Sequence, residues 1–168
     1  MKKKNLIALI VPVATIILDQ WTKGMVLDRF KLGESIPVLG SFFNLTYVRN
    51  TGAAFGFMAN VDSSLRVPFF LAVPLVALVV IGLLFRKLPA GDVRTAGALS
   101  LVVGGAIGNL IDRINLGYVV DFLDFHWNYQ AHFPAFNVAD SAICVGVGLL
   151  MIDMAGKDGK EPDASAAL

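Results

Sequence analysis

Four aspartates lie in or beside the long apolar stretches of this chain: Asp19, Asp112, Asp121 and Asp140. A carboxylate in or near hydrocarbon is costly to keep ionised, so each is a candidate for chemistry. Asp19 and Lys23 are spaced i, i+4 on one helix face, which predicts a partly buried ion pair that orients the first helix. Asp112 adjoins Arg113, with Asn109 one turn back. That acid–base–amide group reads either as a structural network or as a set whose arginine and amide hydrogen-bond a peptide backbone. Asp121 and Asp140 have no evident basic partner nearby in sequence. Two carboxylates facing each other at a few ångströms cannot both ionise readily, so one keeps a proton while the other is a base. Such a pair can activate a water against a peptide carbonyl and protonate the leaving amine. It can equally be an interhelical hydrogen bond or one stage of a proton path.

Other reactive side chains compete poorly. Cys144 lies among Val and Gly in the last apolar stretch, which favours a thiol over a thiolate. His126 and His132 flank Trp127 without a His/Cys/Glu cluster of ligand spacing, so neither a metal nor another cofactor is expected. Ser141 follows Asp140 but has no Lys or His base close by.

The elements that must position these residues follow from composition. The chain has 168 residues, 56% hydrophobic and 16% charged, with a mean hydropathy of +0.69. Soluble domains carry about 25% charge, and a globule this small has too much surface to hide so much apolar side chain. The same composition excludes intrinsic disorder. A single cysteine excludes a disulfide scaffold, and a net charge of +1 leaves no nucleic-acid footprint. A small integral membrane protein remains.

The gaps between charges locate its helices. Val67–Phe85 is 19 uncharged residues, reaching roughly 28 Å against a hydrocarbon core of ~30 Å. Thr95–Ile111 is another 17. Leu6–Leu18 is clean before Asp19 and Lys23, and Phe133–Ile152 is clean except for Asp140. Four transmembrane helices are expected, at about 5–26, 67–87, 95–112 and 137–154. The first opens like a signal peptide, with Lys2, Lys3 and Lys4, but no small-x-small cleavage site closes it. It is read as an uncleaved anchor.

Lys and Arg set the orientation. Lys2–Lys4, the turn with Arg86, Lys87 and Arg94, and the tail with Lys157 and Lys160 all fall on one side of a four-span chain. Ile114–Pro134 has no Lys or Arg, although the first outer segment carries Arg29, Lys31, Arg49 and Arg66. Both termini are therefore expected in the cytoplasm, and all four aspartates come to similar depth near the outer interface. The outer segment between the first two helices runs to about 40 residues, too long for a bare turn. Ile36–Val48, with Phe42, Phe43 and Tyr47, reads as one or two strands resting on the membrane surface, either a folded connector or a platform guiding a substrate. Gly104 with Gly108, and Ala142 with Gly146, are small-xxx-small pairs expected to bring the third and fourth helices together. Residues 1–155 are expected to form one membrane domain and 156–168 a disordered cytoplasmic tail.

Several short segments now fall into a pattern. Asp19-Gln20-Trp21-Thr22-Lys23 is followed by Asn50-Thr51-Gly52-Ala53-Ala54-Phe55, then by Gly104-Gly105-Ala106-Ile107-Gly108-Asn109-Leu110-Ile111-Asp112-Arg113. Val119-Val120-Asp121-Phe122 and Phe136-Asn137-Val138-Ala139-Asp140-Ser141 complete it. In this order the set closely resembles the bacterial lipoprotein signal peptidase (signal peptidase II) family, over about residues 5–154. The resemblance implies an intramembrane aspartic endopeptidase of the bacterial inner membrane, with four transmembrane helices and a small extracytoplasmic β segment between the first two. Its substrate would be a prolipoprotein whose cysteine carries a diacylglyceryl group, cut on the amino side of that cysteine. The resemblance maps the catalytic pair onto Asp121 and Asp140, and substrate contacts onto Asn50, Asn109, Arg113 and Asn137. It leaves support roles to Asp19, Lys23 and Asp112. Membrane lipids are the expected surroundings, and a monomer the expected state. From the residues alone, a small transporter or proton relay and a membrane scaffold remain competing readings.

Overall fold

The computed structural model describes residues 3–52, 63–128 and 131–158. Ala53–Phe55 of the matched pattern and residues 159–168 of the expected tail lie outside them. Four helices, α1 (Lys3–Arg29), α2 (Ser63–Lys87), α3 (Val93–Leu116) and α4 (Val138–Asp158), are each long and apolar enough to cross a membrane. α1 and α3 run past both expected ends, and α2 starts four residues early and stops where expected. α4 starts within a residue of its expected position but includes residues 156–158, which moves the start of any tail beyond them.

α3 is the hub, packed against α1, α4 and α2. Its glycines make the close approaches possible, although they divide the work differently from the expectation. A Cβ on Gly104 would meet Thr15 at 2.7 Å and Pro12 at 3.0 Å, and one on Gly108 would meet Asp19 Oδ2 at 2.6 Å. That pair therefore admits α1, not chiefly α4. Gly105, which breaks the small-xxx-small spacing, is the residue that admits α4, where a Cβ would strike Ala139 and Ile143. Gly146 on α4 does meet α3 as expected, at Ala98 and Val102.

The expected β segment is present as β1 (Ser35–Leu39) and β2 (Phe43–Asn50), between α1 and α2. It is completed from a second source. β3 (Val119–Trp127) and the two-residue β4 (Ala131–His132), both from the α3–α4 connection, extend the sheet in the order β1-β2-β3-β4. β3 is rich in β-branched and aromatic residues and supplies the ladder that β2 would otherwise leave unpaired. Its register sets Val48 opposite Asp121 and Asn50 opposite Val119. Gly117, at φ +80°, caps α3 in the left-handed conformation and returns its N–H to the Arg113 carbonyl. The chain can then turn straight from α3 into β3.

The sheet sits at the bundle end where α1 and α3 finish and α2 and α4 begin. Val26, Tyr47, Val120 and Phe122 form the buried core there. Tyr47 thus belongs to the core, at 4% exposure, and not to an exposed aromatic platform; its hydroxyl lies 3.1 Å from that of Tyr118. Phe42 does stay half exposed, edge-on to Phe125. Phe43 packs beside the same ring, which stacks in turn on Phe136.

Candidate active site

Helix α4 begins with an unusual amount of help. The first N–H groups of a helix lack intrahelical acceptors. Asn137 Oδ1 accepts from Asp140 N at 2.9 Å, and Asp140 Oδ2 accepts from Asn137 N at 3.3 Å. This is a reciprocal capping box, with aspartate where glutamate or glutamine is usual. Asp19 reaches across from α1 to take a third N–H, that of Ala139, at 2.9 Å. Asp140 is therefore fixed in the first turn by the same bonds that start its helix.

Around it stand two kinds of carboxylate. Asp19 and Asp112 share a lysine. Lys23 Nζ lies 2.8 Å from Asp19 Oδ2 and 3.0 Å from Asp112 Oδ2, with all three side chains buried. The expected i, i+4 ion pair is present, and Asp112 joins it in preference to its neighbour Arg113. Asp112 also accepts from Val120 N at 3.0 Å, which pins the start of β3, and from Gln20 Nε2 at 2.8 Å.

Asp121 and Asp140 are held by amides instead. Asp121 Oδ1 accepts from Asn137 Nδ2 at 2.7 Å, and its Oδ2 from Asn50 Nδ2 at 2.9 Å. Asp140 Oδ1 accepts from Asn109 Nδ2 at 2.7 Å. Asn109 is oriented in turn, because its Oδ1 accepts from Lys23 Nζ at 2.9 Å. The ammonium group thus dictates which end of the Asn109 amide faces Asp140. Asn137, fully buried, touches both acids and joins them into one unit. Among the described residues neither acid forms an ion pair. Burial, and then the Asp140 carboxylate, push the Asp121 carboxyl from its ordinary range up to about 7, against the pull of Asn50, Asn137 and Lys23.

The comparisons with known proteins decide the family. Residues 11–156 match the model of signal peptidase (SPase) II. The chain belongs to the signal peptidase II family. Proteins named lipoprotein signal peptidase from Syntrophotalea carbinolica and Geobacter sulfurreducens are similar to it, at 53% and 54% identity. Those matches cover 87% and 86% of this chain and 89% and 88% of the relatives. A solved bacterial membrane enzyme superposes with a TM-score of 0.82 at 34% identity, covering 93% of this chain and 92% of that one. The chain is accordingly a peptidase.

Within this signal peptidase II fold, the acids and polar residues proposed for the site from the sequence fall at the sheet end of the bundle. Asp121, Asp140, Asn50, Asn109 and Asn137 form one hydrogen-bonded cluster. Asp19, Lys23 and Asp112 form the ionic layer beside it. Arg113 stands apart from both, with one hydrogen bond among the described residues, from Nη1 to the Asn109 carbonyl at 3.3 Å. It lines a small cavity with Asn50, Thr51, Phe70 and Tyr118. Sequence reasoning gave no role to Gln20, which donates to both Asp112 and the Gly108 carbonyl. It sits inside the Asp19–Lys23 segment, so its place in the pattern was the available signal. The capping role of Asn137 was also missed, although Asn three residues before an acid at a helix start is a visible capping signature.

Proposed function

We propose that Asp121 and Asp140 are the catalytic acids of this peptidase, sharing one proton and one water. It removes signal peptides from prolipoproteins, cutting on the amino side of a diacylglyceryl-modified cysteine. The observation that carries the assignment is the Asn137 bridge between two carboxylates, one buried and one half-buried, that form no ion pair among the described residues. At a shared charge of about −1, one acid takes a proton from water as it attacks the scissile carbonyl, and the other protonates the leaving nitrogen. The oxygens of each acid are already aimed by amide donors, so little reorganisation is needed at the moment of reaction. In this reading Asn50 and Arg113, which line the cavity beside the acids, meet the peptide backbone. The buried Asn109 and Asn137 aim the acids instead of reaching the substrate, and Asp19, Lys23 and Asp112 hold the scaffold beneath them. The mechanism uses no metal and no covalent intermediate.

In this reading the protein is a monomer of the bacterial inner membrane, with both termini cytoplasmic and the sheet end facing the periplasm. The Lys and Arg distribution supports that orientation. A membrane-anchored signal helix has its scissile bond near that interface, and the acyl chains can remain in lipid while the peptide enters. The test is purified protein in detergent with a diacylglyceryl lipobox peptide. Wild type should release the signal fragment in the presence of chelator, while Asp121→Asn and Asp140→Asn should not. Full cleavage by either variant would sink the assignment.

A further inference from the structure

We infer that Phe70 is a positioning residue for Arg113, its ring parking the guanidinium at the edge of the site and away from the two amide-held carboxylates. The inference rests on the peptidase reading above and adds a residue to it. A guanidinium has five N–H donors, and among the described residues one of them is committed, to the Asn109 carbonyl. Asp140, Asp121 and Asp112 all attract Arg113. Yet it ion-pairs with no carboxylate among the described residues, where only Lys23 does so. Its Cζ lies instead 5.5 Å from the centroid of the Phe70 ring, within the ~6 Å at which a π face attracts a cation. A cation held over a ring by this attraction spends no N–H donor on it, so the remaining donors stay available to a peptide carbonyl.

The ring comes from the least tied of the four helices. Among the helices, the α2 backbone approaches α3 alone, whereas α1, α3 and α4 all pack on one another. At this cavity α2 presents Val67, Phe70 and Leu71, none of them charged. The charged groups acting on Arg113 are Asp112 of α3, Asp121 of β3 and Asp140 of α4; Tyr118 of the turn lines the same cavity, with Arg49 of β2 over its ring. Lys23 already engages Asp19 and Asp112, which leaves Asp121 and Asp140 as the partners Arg113 would take if the ring were removed. An ion pair there would favour the ionised carboxylate and strip the shared proton at lower pH.

The experiment compares Phe70→Leu, Phe70→Tyr and Phe70→Trp in the detergent assay, with Asp140→Asn alongside and thermal unfolding as the check on folding. Phe70→Leu should lower kcat by about 10- to 30-fold, the scale of a desolvated cation–π contact. It should also move the descending limb of the kcat–pH profile to lower pH. Phe70→Tyr and Phe70→Trp should stay within about threefold of wild type with the limb in place. A wild-type profile for Phe70→Leu overturns the inference, as does a kcat loss with no movement of the limb. Equal defects in the leucine and aromatic variants also overturn it, since packing and not the π face would then be the cause. Cleavage by Asp140→Asn would instead remove the peptidase reading itself, so the two failures are distinguishable.

Discussion

Two pairs of aspartates lie side by side at the sheet end of this bundle and are treated in opposite ways. Asp19 and Asp112 face one lysine at 2.8 and 3.0 Å. Among the described residues, Asp121 and Asp140 receive only neutral amides, from Asn50, Asn137 and Asn109. Burial alone does not separate the pairs, since Asp19, Asp112 and Asp121 are all at most 3% exposed. The partners do. A buried ion pair is costly to break because it leaves an uncompensated charge, so Asp19–Lys23–Asp112 serves as a clamp between α1, α3 and β3. A carboxylate pair satisfied by amides keeps its charge problem unsolved, and a shared proton is the solution. One arrangement stores stability and the other stores reactivity.

The largest effect that follows is on rate. Asp121→Asn and Asp140→Asn should each lower kcat by about 10⁴-fold or more, because a catalytic pair acts as a unit. Asp121→Asn should melt at or above the wild-type temperature above about pH 7, where it removes a buried negative charge. Asp140→Asn should lose little, since only its capping bond to Asn137 N is weakened. Asp19→Asn and Asp112→Asn should do the reverse, losing thermal stability before chemistry. If all four variants lost both properties equally, the distinction between the pairs would collapse.

The next effect is on stability. Lys23→Met leaves two buried carboxylates facing each other without a cation and should cost about 3–5 kcal/mol, read by thermal or denaturant unfolding in detergent. Adding Asp19→Asn and Asp112→Asn to it should recover part of that loss. No recovery would mean that Lys23 stabilises mainly by orienting Asn109 and not by neutralising charge.

A third test uses pH. The Asp121 carboxyl is raised to about 7 in the folded state, so the folded chain holds a proton that the unfolded chain has already released above the ordinary carboxylate range. Folding stability contributed by this group is therefore undiminished below about pH 4 and falls as pH rises to about 7, at up to about 1.4 kcal/mol per pH unit. Asp121→Asn should flatten that slope. An identical slope in the variant would show that another group carries it.

Much of this was legible in the sequence because charge in an apolar chain is informative. Interruptions located all four helices, and sidedness brought four acids to one end. The Asp19–Lys23 pair could be written from its spacing. What spacing could not give was partner choice across elements. Lys23 takes Asp112 from Arg113 because α1 crosses α3 at Gly104 and Gly108, and no local pattern shows which helix a glycine faces. The second half of the sheet was hidden for a related reason. β3 pairs with a strand about 75 residues earlier, a long-range ladder that leaves only β-branched and aromatic composition as its trace.

The smallest predicted effect sharpens the comparison most. Asn50 ends β2, and its amide is the donor to Asp121 Oδ2. Its own Oδ1 accepts from Gly52 N at 3.0 Å, which fixes the amide so that Nδ2 faces the acid. Asn50→Ala removes that donor while leaving the Asn137 bridge and the lysine clamp intact. The Asn50 bond pulls the Asp121 carboxyl down, so its loss should raise the carboxyl further. The descending limb of the kcat–pH profile should then move up by about one pH unit, in the sense opposite to Phe70→Leu. The coupled pair shares that limb, so the shift belongs to both acids and not to Asp121 alone. Unfolding temperature should fall only modestly, because Asn137 still donates to Asp121 Oδ1 and the lysine clamp is untouched. A fall in kcat/KM with the limb unmoved would make Asn50 purely a substrate contact. The amides would then hold the catalytic pair in place without tuning its proton.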